Sequence, residues 1–294
     1  MIVVTTPTGN IGSQVLKDLL PNKEPIRVIV RDPDRLAPET RERVEIVVGS
    51  HGDGAVVTRA FQDADAVFWV VPPDPRAATV EAAYVDFARP AVNALRQQGV
   101  KRVVGVSALG RGTPWDAHAG LATASLAMDD LIASSGVSYR AVAMPSFMDN
   151  LLRQAEPITK NGVFSLPIDG DRKLPSAATC DVAEVAARLL LDHSWTGVAS
   201  VPVLGPEDLS YNDMARVLSE VVGRPVRFEQ ISNDAFKARL MGQGMSEAMA
   251  QGNVDMWIAK GNGIDNAVKR TPESSTPTRF RDWASRVFRA RVTL

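Results

Sequence analysis

Residues 3–16 read "VVTTPTGNIGSQVL". A short apolar run rich in β-branched residues breaks on a Thr-Pro-Thr-Gly turn. Apolar residues then recur at helical spacing over 11–20. A strand that ends on a glycine turn and passes directly into a helix is a place where backbone N–H groups and the helix dipole can neutralise a diphosphate. Gly9 and Gly12 hold the second and third positions of a Gly-x-x-Gly-x-x-Gly pattern, and the first position is Thr6. Its hydroxyl can bond a phosphate, or its β-branched side chain can narrow the site. Pro7 removes one N–H donor. Two glycines three residues apart are common, so an ordinary strand–helix turn is the plain alternative. The junction of the first strand and first helix is nevertheless where a dinucleotide fingerprint belongs.

Outward from that turn the pattern repeats. "IRVIVRD", "RVEIVVG", "DAVFWVVPP", "KRVVGVSALG" and "SYRAVAMPSF" read as strands. Helical spacing fills 53–61, 76–98 and 124–134. Strands alternating with helices predict an α/β fold, a doubly wound parallel Rossmann sheet. The nearly unbroken apolar strands fit burial on both faces. After residue 150 the rhythm changes to short strands and turns, then a helix capped near Asp181. A second helix is predicted after Ser210, with Asp213 three residues on in a capping-box arrangement. Residues 234–266 read as helical and methionine-rich. The expected division is a dinucleotide-binding domain over 1–150 and a smaller α/β substrate-binding part over 151–294, some of whose segments can return to the Rossmann sheet.

Composition narrows the function classes. Lysine plus arginine number 33 against 34 for aspartate plus glutamate, which argues against a nucleic-acid partner. The lone Cys180 cannot form a disulfide within the chain, which fits a reducing cytoplasm. His51, His118 and His193 lie far apart in sequence, and no metal site is expected. The longest apolar stretch, "AVFWVV", is too short to span a bilayer, and the N-terminus lacks a signal layout. A cytoplasmic protein without membrane or nucleic-acid partners is expected, as a monomer or homodimer.

The end of the second strand faces the adenosine ribose in such folds. An acidic residue there favours NAD, and an arginine can pair with the extra phosphate of NADP. Arg31 holds the position and Asp32 follows, so NADP(H) is favoured over NAD(H), with Asp32 able to turn to the ribose instead.

Together with "SGVSYRAVAMPSFMDNLL" and "YNDMARVLSEVVGRPVRFEQIS", these stretches resemble the NmrA-like branch of the atypical short-chain dehydrogenase/reductase superfamily, over nearly the whole chain. The resemblance implies a Rossmann domain, a smaller C-terminal part and a cleft between them. It implies that Thr8, Gly9, Asn10, Ile11 and Gly12 line the pyrophosphate and that Arg31 meets the ribose or its phosphate; Thr6 departs from the family's first glycine and is a cofactor-binding candidate through its own hydroxyl. Val71 and Pro72 would follow the fourth strand beside the ribose. Ser107 and Ala108 would follow the fifth strand below the nicotinamide. Pro145 lies in the Met144–Pro145–Ser146–Phe147 stretch that would shape the nicotinamide end.

The Tyr-x-x-x-Lys pair of ordinary superfamily members does not occur. Tyr84, Tyr139 and Tyr211 are each followed four residues later by alanine. Two readings stay open. In one, the protein transfers hydride to a quinone or related aromatic, polyketide-type chemistry of secondary metabolism included, because charge placed on a delocalised ring needs orientation more than a strong acid. Trp115, Phe147, Met148, Met241, Met245 and Trp257 then form the candidate substrate wall, since methionine adapts to flat irregular shapes. His118 would assist as proton donor or orient the substrate, and Ser107 would join it in catalysis. In the other, the protein binds NAD(P) without chemistry, as a redox sensor or regulator.

Overall fold

The computed structural model describes residues 1–292. By packing, these fall into two compact units: Met1–Ala108, Ala124–Ala143 and Val182–Val201 form one, and Leu109–Thr123, Met144–Asp181 and Pro202–Leu294 the other. The chain thus leaves the first unit and returns to it twice. Residues 109–123 and 144–150 pack with the second unit, and 182–201 with the first.

The first unit carries a seven-stranded sheet. Its strands are β1 (Ile2–Thr5), β2 (Ile26–Val30), β3 (Glu45–Val48), β4 (Ala66–Trp69), β5 (Arg102–Ala108), β6 (Ser138–Met144) and the returning strand Val198–Pro202. Their order is Val198–Pro202, β6, β5, β4, β1, β2, β3. Pairing is parallel from β3 through β2, β1 and β4 to β5. β1, β2 and β4 are buried along their whole length, as strands covered on both faces must be. Val3, Ile29, Val67 and Trp69 meet Phe61, Ala91 and Leu95 in one core. From β1 the chain runs outward to β2 and β3, then crosses back to β4. That reversal makes β1 and β4 a topological switch point, outside whose carboxyl ends open α/β sheets bind ligands.

The helix expected over 76–98 begins later. Its regular part is Phe87–Gln98, preceded by a wide turn at Ala82–Asp86. Pro90 has no N–H to give to the carbonyl four residues back, and the widened turn absorbs that missing bond.

In the second unit, Leu174–Ala177 pairs with Ser146–Phe147 and with Asp208–Leu209, and Val163–Leu166 pairs with Arg227–Gln230. Phe164, Tyr211, Leu218, Phe280 and Trp283 centre its core. Ser210 caps the helix Tyr211–Val222 through a reciprocal bond with Asp213. The helix expected near Asp181 starts at Thr179, with Asp181 inside its first turn. The stretch read as helical over 234–266 forms two helices, Asn233–Gly242 and Glu247–Gly261. Gly244 takes a φ of 88° between them, and Ser246 caps the second by accepting from Met249 N–H. No helix among the described residues is long and apolar enough to cross a membrane.

Candidate functional site

A cavity of about 700 Å³ opens at the carboxyl ends of β1, β2, β3 and β4. Ligand clefts commonly measure about 300–1,000 Å³. Thr6, Pro7, Thr8 and Gly9 form one wall. Arg31 and Arg35 stand beyond β2, Gly49–Ser50–His51 beyond β3, and Pro72 through Arg76 beyond β4. Thr6 and Pro7 therefore border open space and do not plug the turn.

The backbone explains how threonine stands where glycine was expected. Thr6 adopts a φ of 49°, the left-handed region that a β-branched residue seldom enters. Its carbonyl accepts from Gly9 N–H at 2.9 Å. A Cβ on Gly12 would lie 2.2 Å from that same carbonyl oxygen. Gly12 is thus required for close approach of helix and turn, and Thr6 keeps the glycine-like conformation. The helix that follows, Asn10–Leu19, has Gly9 at its cap, no side-chain cap and no acidic residue in its first turn. An N-terminus left open in this way, with its N–H groups and dipole, suits a diphosphate.

Charge at the cavity is net cationic. Arg31, Arg35 and Arg76 line it with one carboxylate, Asp74, which accepts from Arg76 N–H at 2.9 Å; none of the three guanidinium groups has a carboxylate partner among the described residues. Asp32 is committed elsewhere: its side chain caps the short turn Pro33–Arg35, accepting from Asp34 N–H at 3.1 Å. His51 is buried, packed edge-on against Trp69 and Phe87 with ring centroids 5.2 and 4.9 Å away. Its Nε2 donates to the Val70 carbonyl at 3.0 Å. Burial, with a smaller contribution from the Arg31 charge, pushes its pKa down to about 4, so the ring is neutral near pH 7.

Of the residues expected to hold a cofactor, Thr6, Thr8, Gly9, Arg31 and Pro72 line this cavity. Asn10, Ile11 and Gly12 form the adjoining first turn of the helix. Val71 and Pro145 are buried, and Ser107 and Ala108 close β5; these four are not part of its wall. Arg35, His51 and Arg76 were missed. The signal for His51 was its place just past β3, because every strand end at such a crest is a candidate wall.

Ser107 is buried, and its hydroxyl donates to the equally buried carboxylate of Asp129. Tyr139 donates to the other oxygen of Asp129 at 2.6 Å. Gly105 makes room for that phenol, since a Cβ there would lie 2.2 Å from the Tyr139 oxygen. With its own proton given to Asp129, Ser107 can offer lone pairs. His118 is exposed and stands outside the wall of the cavity.

A second, smaller cavity of about 50 Å³ lies within the second unit. Phe147, Met148 and Trp257 line it together with Ser146, Leu151, Leu166, Met214 and Tyr211. Trp115, His118, Met241 and Met245 do not. Met241 is 43% exposed, and Met245 accepts a bond from Asn253 at its sulfur.

A family profile described as NAD(P)H-binding matches residues 7–193, and the chain belongs to that family. It is 31% identical over 294 residues to (4-alkanoyl-5-oxo-2,5-dihydrofuran-3-yl)methyl phosphate reductase of Streptomyces griseus, covering 97% of each chain. It is also 31% identical to NAD(P)H azoreductase of Xenophilus azovorans, covering 85% of this chain and 84% of that one. Among solved structures it is similar to the NADPH-dependent quinone oxidoreductase of Escherichia coli complexed with NADPH, with a TM-score of 0.79 and 25% identity over 98% of this chain and 100% of that one. The resemblance to NmrA-like, atypical short-chain dehydrogenases holds at the level of sequence family and fold.

Proposed function

We propose that the protein is an NAD(P)H-dependent oxidoreductase that reduces a quinone or related aromatic small molecule, with NADPH preferred over NADH. The two bacterial reductases, matched over most of their length, support the activity. The observation that carries the cofactor preference is the electrostatics at the end of β2. Arg31 and Arg35 stand without a carboxylate partner at the cavity, while Asp32 is turned into its own backbone. A ribose phosphate would meet two guanidinium groups at the end of β2, where Asp32 gives one carboxylate oxygen to its own turn.

The glycine turn and the uncapped helix would hold the diphosphate, and the cofactor, when bound, supplies the hydride. The protein's own part is binding and orientation. Ser107, with its proton bound to Asp129, accepts a hydrogen bond and is not a proton donor. A ring that delocalises the incoming charge takes its proton from water, which suits a site without the Tyr-x-x-x-Lys pair. His118 would assist only by reaching the substrate from its exposed loop. Phe147, Met148 and Trp257 would form the apolar wall for the substrate.

The test is purified protein with NADPH or NADH and a panel of quinones, followed as loss of nicotinamide absorbance. Turnover with NADPH is expected. Tight binding without turnover on any acceptor would instead favour a redox sensor. Arg31→Ala should weaken NADPH about tenfold or more, since one charge-assisted bond is worth about 1.5–3 kcal/mol. NADH should change by less than about threefold, and equal losses for both would remove the preference.

A further inference from the structure

The cofactor cavity carries its cations in two separate places. Arg31 and Arg35 follow β2, and Arg76 follows β4. In the sheet, β2 and β4 are the two neighbours of β1. Their ends therefore flank the glycine turn, about two strand spacings or roughly 10 Å apart. The first pair is matched to a ribose phosphate. Arg76 stands on the opposite side of the turn, and its guanidinium has no hydrogen-bond or ion-pair partner among the described residues.

The loop that carries Arg76 is stiff and firmly rooted. Each residue from Val71 to Pro75 is a proline or directly precedes one, which restricts its backbone. Asp74 then closes a turn. Its carboxylate accepts from Arg76 N–H at 2.9 Å, and its carbonyl accepts from Ala77 N–H at 3.1 Å. At the root, Val70 N–H donates to the Thr5 hydroxyl at 3.1 Å, and Val70 O accepts from His51 Nε2 at 3.0 Å. The loop is thus tied to β1 and to the chain beyond β3, and it holds the Arg76 backbone at the cavity. An arginine carried on an ordered loop loses less freedom on meeting a ligand than one on a mobile loop.

The glycine turn itself is short of positive charge. A diphosphate bears a negative charge on each phosphate, whereas a helix N-terminus offers about half a positive charge. No lysine or arginine lies between Thr6 and Leu16, and Pro7 has no N–H to give. Lys17 belongs to the last turn of the helix, at its far end. The cations that can make up the deficit are those following the strands on either side, and a ribose phosphate occupies the pair beyond β2.

We propose that Arg76 is the cation that neutralises the cofactor's diphosphate, reaching over the glycine turn from the loop after β4. The assignment rests on the dinucleotide reading of the cavity and divides the arginines by task. Arg31 and Arg35 meet the phosphate that distinguishes NADPH from NADH. Arg76 meets the diphosphate that both share, so it sets affinity for either cofactor without choosing between them. A guanidinium can give parallel N–H bonds to two phosphate oxygens, which a lysine ammonium cannot match.

The experiment measures dissociation constants without turnover. NADPH and NADH are titrated by nicotinamide fluorescence. Two fragments are titrated by displacement of NADPH: ADP-ribose, which has the diphosphate without the extra phosphate, and adenosine 2′-phosphate, which has the reverse. One charge-assisted bond is worth about tenfold or more in affinity. Arg76→Ala should therefore weaken NADPH, NADH and ADP-ribose about tenfold each and leave adenosine 2′-phosphate within about twofold. Arg31→Ala should weaken NADPH and adenosine 2′-phosphate and spare ADP-ribose. Arg76→Lys keeps the charge and should recover at least about threefold of the loss. If the wild-type protein binds neither NADPH nor NADH, the dinucleotide reading itself fails. If it binds them and Arg76→Ala changes NADH and ADP-ribose by less than about threefold, the diphosphate assignment is overturned while that reading stands. A loss confined to NADPH and adenosine 2′-phosphate overturns it as well, by placing Arg76 on the ribose phosphate. Arg76→Gln, which keeps most of the stem, carries the same comparison should the alanine variant fail to fold.

Discussion

Replacing Gly12 by alanine perturbs the turn at the point where it has least room. The new Cβ would lie 2.2 Å from the Thr6 carbonyl oxygen, 2.9 Å from its carbon and 3.0 Å from the Thr5 oxygen. Something must move by roughly 0.8 Å to restore a tolerable contact. Thr5 cannot yield readily, because its hydroxyl donates to Phe68 O at 2.9 Å and accepts from Val70 N–H at 3.1 Å, tying β1 to β4. Thr6 is already in a left-handed conformation. The helix start must therefore retreat. Overpacking of this kind costs about 1–3 kcal/mol, or a fall in Tm of roughly 3–10 °C for a chain of this size. A misplacement approaching 1 Å at the diphosphate cradle should also weaken NADPH at least about tenfold. The control is Gly242→Ala, at the end of an exposed helix with nothing within 4 Å of the added carbon, which should be neutral or stabilising by about 0.4–1 kcal/mol. Scanning calorimetry and titration with NADPH measure both variants. A Gly12→Ala protein with unchanged Tm and unchanged NADPH affinity would refute the account of the turn.

Thr6→Gly releases a left-handed residue whose strain is roughly 1–2 kcal/mol. It also returns about 0.4–1 kcal/mol of chain freedom to the unfolded state, so urea melts should give a small net stabilisation. A clear loss would mean that the threonine side chain contributes more than its backbone costs. His51 supplies a pH dependence. Its folded pKa of about 4 lies below the ordinary 6.5, so as pH falls the unfolded chain takes up the proton first. Stability should drop by about 3 kcal/mol between pH 6.5 and 4 through this residue and no further below. His51→Gln should show a correspondingly shallower decline across the same window, and parallel curves for the two proteins would contradict the buried neutral ring.

The regular part of the fold was readable because local pattern and tertiary role agree there. β1 through β6 are apolar runs, and each of the strands at the switch point is buried on both faces, so hydrophobicity alone marks them. The second unit was harder to read. Its strands are two to four residues long where they carry the site, too short for any period to show. The break at Gly244 was hidden because neither flanking helix separates an apolar face from a polar one, so no period marks where one ends and the next begins. The lateness of the helix ending at Gln98 was encoded in Pro90, which a spacing argument passes over.

The site divides in the same way. The turn at Thr6–Gly12 was legible because glycine spacing reports on backbone geometry, which is local. Its one irregular letter proved informative: Thr6 takes the conformation for which glycine is normally chosen, so the motif's shape persists where its spelling does not. Arg35, His51 and Arg76 were not legible, because they come from three different loops that only the order of the strands brings to one cavity. The methionines misled for the opposite reason. Met241 and Met245 are close in sequence to Trp257, but Met241 lies exposed on the first helix and Met245 in the turn after it, while Trp257 lines the cavity from the second helix. Tyr211 escaped notice because it was weighed only as a candidate for Tyr-x-x-x-Lys. Its ring lines the second unit's cavity, stacked on Phe228 and edge-on to Trp257, a place that only the packing of three separate segments creates.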